Sequence, residues 1–167
     1  MKTTLYAIRQ HSPCSDGWGK LLRNLGKTHS DGEPLKITTI LDSNGLDDAL
    51  WCLRAVDGHQ REIRLFAVDC ARSVQHLMTD ARSIAAIDVA ERYADGLATD
   101  DELRAAKCAA WDAGRYSATA TAAANAADNV AACAATCAAA NAASSKASRD
   151  IQADLLRLIC AEIEQRP

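Results

Sequence analysis

Between Ser117 and Ala147 about half of the positions are alanine, and Asp128 and Lys146 are the only charged residues. Alanine is the strongest intrinsic helix former and presents almost no side-chain chemistry. The tract therefore dictates a shape, a long helix, and points the whole chain toward an all-α fold. Within it, larger or polar side chains recur every four residues, at Ser117, Thr121, Asn125, Asn129, Cys133, Cys137, Asn141, Ser145 and Arg149. Four residues turn a helix by about 400°, so this row drifts roughly 40° per repeat and winds around the surface. The faces between are methyl groups, which let a neighbouring helix approach closely. A packed internal helix is the expectation, and a surface for self-association or for a partner is the alternative.

The remaining chain supports the same class. Ser15 and Asp16 are placed to cap a short helix carrying Trp18, Leu21, Leu22 and Leu25, with Gly26 ending it. The run Leu35–Leu41 suits a strand by composition, yet Thr38 followed by Leu41 and Asp42 suits one helical turn before Asn44-Gly45; the short helix is the expectation. Asp47 or Asp48 begins a helix through Val56 with Leu46, Leu50, Trp51 and Leu53 on a broad apolar face, closed by Asp57-Gly58. From Glu62 to Met78, Ile63, Phe66, Ala67, Cys70, Val74 and Leu77 share one stripe, opposite Arg61, Arg64, Asp69, Arg72 and Gln75. Thr79 and Asp80 start a further helix with Ile84, Ile87, Val89 and Ala90 inward and Gly96 at its end. Thr99 followed by Glu102 is a capping box, the clearest helix start in the chain.

A helix running unbroken from Asp100 to Lys146 would be roughly 70 Å long, whereas a domain of this size has a radius of gyration of about 15 Å. A fold-back is expected within 112–119, where Gly114 can end one helix and Ser117 or Thr119 cap the next. The last helix would turn Ile151, Leu155, Leu158, Ile159 and Ile163 inward. The expected architecture is thus an all-α, single-domain bundle of stacked helical hairpins over residues 1–167. It comprises short elements over 1–45, core helices over 46–116, the Ala-rich helix over 117–148 and a C-terminal helix over 149–167. Leu50, Leu53, Ile63, Phe66, Val74, Leu77, Ile84 and Ile87 are expected in one core.

The formal net charge of −3 and a sequence pI near 5.8 argue against a general nucleic-acid surface and fall short of the acidity of a DNA mimic. The first forty residues carry six Lys/Arg against three Asp/Glu, a small basic excess. Seven cysteines without compact spacing fit a reducing cytoplasm better than a disulfide scaffold, and no signal-peptide core precedes Arg9. The Ala tract is interrupted by Asn125, Asp128, Asn129 and Asn141 and lacks the drive to enter a bilayer, so no membrane partner is expected.

Sites of chemistry are sparse. Gly17-Trp18-Gly19 and Gly26-Lys27-Thr28 resemble phosphate-binding fragments, but Leu21 stands where a P-loop needs its first Gly. His11 with Cys14, and Cys133 with Cys137, have metal-like spacing and lack the other ligands of a zinc site. Asp47/Asp48 and Asp100/Asp101 lie at helix starts, where they complement the helix dipole. Trp111 and Arg115 are one turn apart and could stack, with core packing of Trp111 preferred. No nucleophile with its base is recognisable, so no catalytic, metal or cofactor site is assigned, and the partner-binding residues are left open.

Three stretches carry a resemblance. Gly45-Leu-Asp-Asp-Ala-Leu-Trp51-Cys-Leu-Arg-Ala-Val56, Arg61-Glu-Ile-Arg-Leu-Phe-Ala-Val-Asp-Cys-Ala-Arg72 and Ala90-Glu-Arg-Tyr-Ala-Asp-Gly96, followed by an Ala repeat, resemble small alanine-rich proteins of tailed bacteriophages and prophages. They are also similar to a bacterial family labelled only as immunity proteins. The resemblance spans roughly 5–143 and implies an all-helical protein from a phage or integrated element; it implies no functional residue. The chain departs from it in the tract, where Asn, Thr and Cys stand at places associated with Arg, Asp and Trp. The expected function is a non-enzymatic phage accessory protein, acting in the host cytoplasm by binding a host protein. That protein would be a component of an antiviral defence such as a CRISPR effector, making this an anti-CRISPR type of inhibitor. The alternatives are a self-assembling structural protein, in which copies of the chain pair through the Ala-rich surface, and a small helical hydrolase.

Overall fold

Thr3 anchors the N-terminal part of the molecule. Its hydroxyl donates to the buried Ala55 carbonyl, fifty-two residues away, from within a three-residue strand. The computed structural model describes residues 1–73, 75–113 and 146–165. Strand β1 (Lys2–Thr4) pairs antiparallel with β2 (Pro34–Lys36), in the register Lys2 to Lys36, Thr3 to Leu35 and Thr4 to Pro34. Everything else regular among the described residues is helical, which makes the protein an all-α fold carrying one small ribbon. The described chain forms two compact units, Met1–His59 with Ala153–Pro167, and Gln60–Gln152.

In the first unit, α1 (Leu5–Gln10) is capped by Thr4, whose hydroxyl accepts from the Ala7 N–H. Helix α2 (Ser15–Asn24) already includes Ser15 and Asp16, so neither is its cap: Cys14 is the N-cap, its sulfur accepting from the Gly17 N–H. Gly26, at φ +65°, ends α2 as expected, with the Lys27 N–H reaching the Leu22 carbonyl. The 35–41 run resolves into both of its readings. Leu35 and Lys36 belong to β2, and α3 (Ile37–Asn44) begins directly after it. Gly45, at φ +100°, separates α3 from α4 (Leu46–Cys52). Asp47 and Asp48 lie in the first turn of α4 rather than at its cap, and the helix tightens at Leu53–Ala55 into a single 3-10 turn instead of running on to Val56. Leu5, Ile8, Leu21, Ile37, Ile40, Leu50, Leu53 and Val56 are buried.

The last helix, α8 (Lys146–Gln165), buries a different stripe from the one expected. Gln152, Leu156 and Cys160 are buried, whereas Ile151 and Leu158 are 64 % and 56 % exposed. The spacing of four among Gln152, Leu156 and Cys160 defines the inward line, so a face chosen by side-chain hydropathy alone is rotated away from it. Leu155, Ile159 and Ile163 flank that line half-buried. Lys36 pairs with Glu164 at 3.0 Å and Arg157 with Asp42, both solvent-exposed contacts of modest worth.

In the second unit, α5 (Gln60–Ser73), α6 (Ala81–Ala94) and α7 (Asp100–Ala113) follow one another through short connections. Val68, Ala71, Met78, Ala86, Ile87, Ala90, Leu103 and Ala110 form one core cluster, with Ile84, Val89, Tyr93 and Ala106 packed against it; Ile63, Phe66, Ala67 and Cys70 of α5 are buried as well. The many alanines allow close helix approach. Asp80 caps α6, accepting from the Arg82 N–H at 2.9 Å. The capping box forms as the sequence implies: the Glu102 N–H donates to the Thr99 hydroxyl at 3.2 Å, and the Thr99 N–H to the Glu102 carboxylate at 2.7 Å. Arg72 ties α5 to α6 by pairing with Asp88 and Glu91. Trp111, expected to pack inward, is 56 % exposed; it falls between the buried positions Leu103 and Ala110 of α7 and the end of the described helix.

Of the expected core, Leu50, Leu53, Ile63, Phe66 and Ile87 are buried and Ile84 is half-buried. Leu50 and Leu53 belong to the first unit and the others to the second. Val74, the side chain of Leu77 and residues 114–145, which hold Arg115, Cys133, Cys137, most of the fold-back expected within 112–119 and most of the expected Ala-rich helix, lie outside the described residues. No described helix is long and apolar enough to cross a membrane.

Phe66 is the largest fully buried side chain among the described residues. Phe66→Ala is expected to cost about 3 to 5 kcal/mol in urea unfolding, through lost burial and a cavity. A change below about 1 kcal/mol would place the ring outside the core.

Candidate functional site

The first unit contains a pocket of about 220 Å³ built from four helices. Ile8 of α1, Leu21 of α2, Ile40 of α3 and Cys52 of α4 are its buried apolar residues. Trp18 and Trp51, both half-buried, contribute indole rings, and Asp47 and Asp48 bring carboxylates. Pro13, Cys14, Gly17 and Asn44 complete it.

Local sequence chemistry explains how these groups meet. Ser12 takes a φ of +54°, uncommon for a residue with a side chain, and turns the chain between α1 and α2 just before Pro13. Gly17 lies in the first turn of α2, where the absence of a side chain matters sterically: a Cβ there would sit 3.0 Å from Asp48 Oδ2 and 3.1 Å from Cys14 Sγ. The Asp48 carboxylate thus rests against the backbone of α2. Asn44, the last residue of α3, holds the arrangement by donating from Nδ2 to the Gly17 carbonyl at 2.9 Å and to Asp48 Oδ2 at 2.7 Å. Lys20 and Asn24 add donations to the Asn44 and Ser43 carbonyls, both at 3.0 Å, tying α2 to the end of α3.

Each indole also carries a guanidinium. Arg9 stands 5.4 Å from the Trp18 ring centroid, and Arg54 stands 4.3 Å from that of Trp51 while donating from Nε to the Trp51 carbonyl. Burial disfavours charge on Cys52: its thiol is pushed up from 9.0 to about 12, chiefly by desolvation and secondarily by the nearby Asp48 carboxylate. The same desolvation lowers the Arg54 value.

The other residues singled out in the sequence fall elsewhere. Gly26-Lys27-Thr28 follows the C-terminus of α2, where the partial charge is negative, and Lys27 Nζ is held by Asp31 and Glu33 at 2.5 and 2.6 Å. The hydrogen bond that Lys27 donates to Asp31 raises the Lys27 value and, reciprocally, lowers that of Asp31. This is a loop clasp, the opposite of a phosphate cradle. His11 and Cys14 are both exposed, and no group of three or more metal-ligating side chains converges among the described residues. Asp100 accepts from the Tyr93 hydroxyl at 2.7 Å and Asp101 pairs with Arg104, so that pair serves the start of α7. The dipole account of Asp47 and Asp48 is incomplete, because both also line the pocket. Sequence reasoning missed Asn44, Trp18 and Trp51 as one site; the available signal was Gly17 beside Trp18, a small residue next to a large one near a helix start.

No family model, curated protein or solved structure matches the chain.

The two pocket cysteines are expected to differ in chemistry. Treating the folded protein with iodoacetamide near pH 8, followed by peptide mapping, should modify the exposed Cys14 and spare Cys52. Because folding raises the Cys52 value, its neutral thiol contributes stability in full below pH 9.0, and this is lost as pH climbs toward about 12. Equal labelling of both cysteines would contradict the burial of Cys52.

Proposed function

We propose that this protein is a phage-encoded accessory protein that acts in the host cytoplasm by binding another protein, with the pocket of the first unit as its anchor site. The observation that carries the reading is the composition of that pocket: two half-buried tryptophans, each stacked by an arginine, around a buried apolar floor. Trp and Arg dominate the energetics of protein interfaces, and hot spots sit in desolvated pockets of this kind. Size favours the same reading. A volume of about 220 Å³ falls below the roughly 300 to 1,000 Å³ of sites for drug-sized ligands and cofactors, and suits one side chain of a partner.

The sequence resemblance to alanine-rich phage proteins motivates the choice of target, a component of a host antiviral defence such as a CRISPR effector. The mild charge of −3 fits a protein partner better than nucleic acid. Expression in a host immune to a given phage should restore plaque formation, and the effect should be lost with Trp51→Ala, provided the variant keeps its helical circular dichroism. Unchanged plaque counts on defended strains, together with no stoichiometric partner in co-purification from infected cells, would contradict the proposal.

A further inference from the structure

We infer that the pocket takes a cationic side chain, an arginine or lysine of the partner protein, rather than a purely apolar anchor; this rests on the protein-binding reading above. Three observations converge on a cation with an aliphatic stem. Among the described lining residues, Asp47 and Asp48 are charged and none is Lys, Arg or His, so the lining carries only negative formal charge. The Asp48 carboxylate is preorganised: Asn44 holds Oδ2 at 2.7 Å and Gly17 backs it. A carboxylate accepts about four hydrogen bonds, so this one retains capacity for a donor from outside. The floor of Ile8, Leu21 and Ile40 offers apolar surface to the methylene stem of a long basic side chain.

The indoles add to these. Rings of this type attract guanidinium and ammonium groups through their quadrupole, and both rings already do so with Arg9 and Arg54 of this chain. The charges of those two arginines oppose the pull of the carboxylates at longer range. A single side chain is therefore expected to bind in the millimolar range, with the partner's remaining surface supplying the rest of the affinity.

The test uses the full 15N-labelled chain, with the indole N–H resonances of Trp18 and Trp51 as readout and Trp111, outside the pocket, as reference. Nα-acetyl-argininamide should shift the first two saturably and leave the third in place. Nα-acetyl-citrullinamide, nearly isosteric and neutral, should bind about tenfold more weakly, as should the arginine probe to Asp48→Asn. That variant keeps a carbonyl for Asn44 to donate to, so its melting temperature checks that the fold persists. Nα-acetyl-norleucinamide binding as tightly as the arginine probe, or no saturable shift with arginine, would overturn the inference. Plaque assays separate the two proposals. If the Asp47→Asn/Asp48→Asn protein still protects phage, the cationic anchor is wrong while the protein-binding reading stands. If the arginine probe binds as described and phage gain no protection, the cationic site stands and the counter-defence reading falls.

Discussion

One carboxamide organises the pocket of the first unit. Asn44 ends α3, and its Nδ2 donates to the Gly17 carbonyl of α2 and to the Asp48 carboxylate of α4. Each hydrogen bond is worth only about 0.5 to 1.5 kcal/mol net, or more where the acceptor is charged. Their consequence exceeds that sum because they hold three helix ends in one geometry. The contact also demands Gly17, since a side chain there would crowd Asp48 and Cys14. From this junction follow the positions of Trp18, one residue on in α2, and Trp51, one turn on in α4, and hence the pocket between them.

The second unit is held differently. Where α5, α6 and α7 meet beyond Phe66, the buried Val68, Ala71, Ala86, Ile87, Ala90, Leu103 and Ala110 are small and medium side chains, so helix proximity supplies the packing there. Polar contacts then fix helix starts and neighbours: Asp80 and Thr99 at the starts of α6 and α7, and Arg72 between α5 and α6. The Asp80 carboxylate is drawn down to about 2, first by its hydrogen bond to the Arg82 side chain. Its contribution is therefore complete above the ordinary value of 3.8 and fades as pH falls toward 2. Being exposed, it adjusts the fold at acid pH without deciding it. The side-chain hydroxyl of Ser83 and the carboxamide of Gln152 are buried with no hydrogen-bond partner among the described residues.

The legible parts of the fold were those governed by local rules. Gly26 and Gly96 mark helix ends because positive φ is a property of single residues, and the Thr99 to Glu102 box forms because its partners lie three residues apart. Periodicity identified the buried face of α5 because its apolar residues are large and regularly spaced. It misjudged α8, where the inward line runs through Gln152 and Cys160 and leaves Ile151 and Leu158 in solvent. Hydropathy does not announce a buried glutamine. The ribbon was hidden for another reason: β1 and β2 are three residues each and owe their existence to pairing across thirty residues. The pocket was illegible as a unit because Trp18, Asn44, Asp48 and Trp51 meet only through tertiary contacts. Each had a sufficient local explanation as an apolar face, a turn residue or a dipole partner.

The same junction links architecture to the proposed activity. In the proposed reading, a carboxylate held against a glycine backbone, in one pocket with two indoles and buried apolar residues, is already in place before a partner arrives, which would lower the ordering cost of binding. The most direct measurement is a double-mutant cycle between Asn44→Ala and Asp48→Ala, read by urea unfolding. The account predicts a coupling of about 1 kcal/mol, since either substitution removes the same charge-assisted hydrogen bond. Additive effects, with coupling near zero, would contradict the claim that Asn44 builds the acidic wall of the pocket.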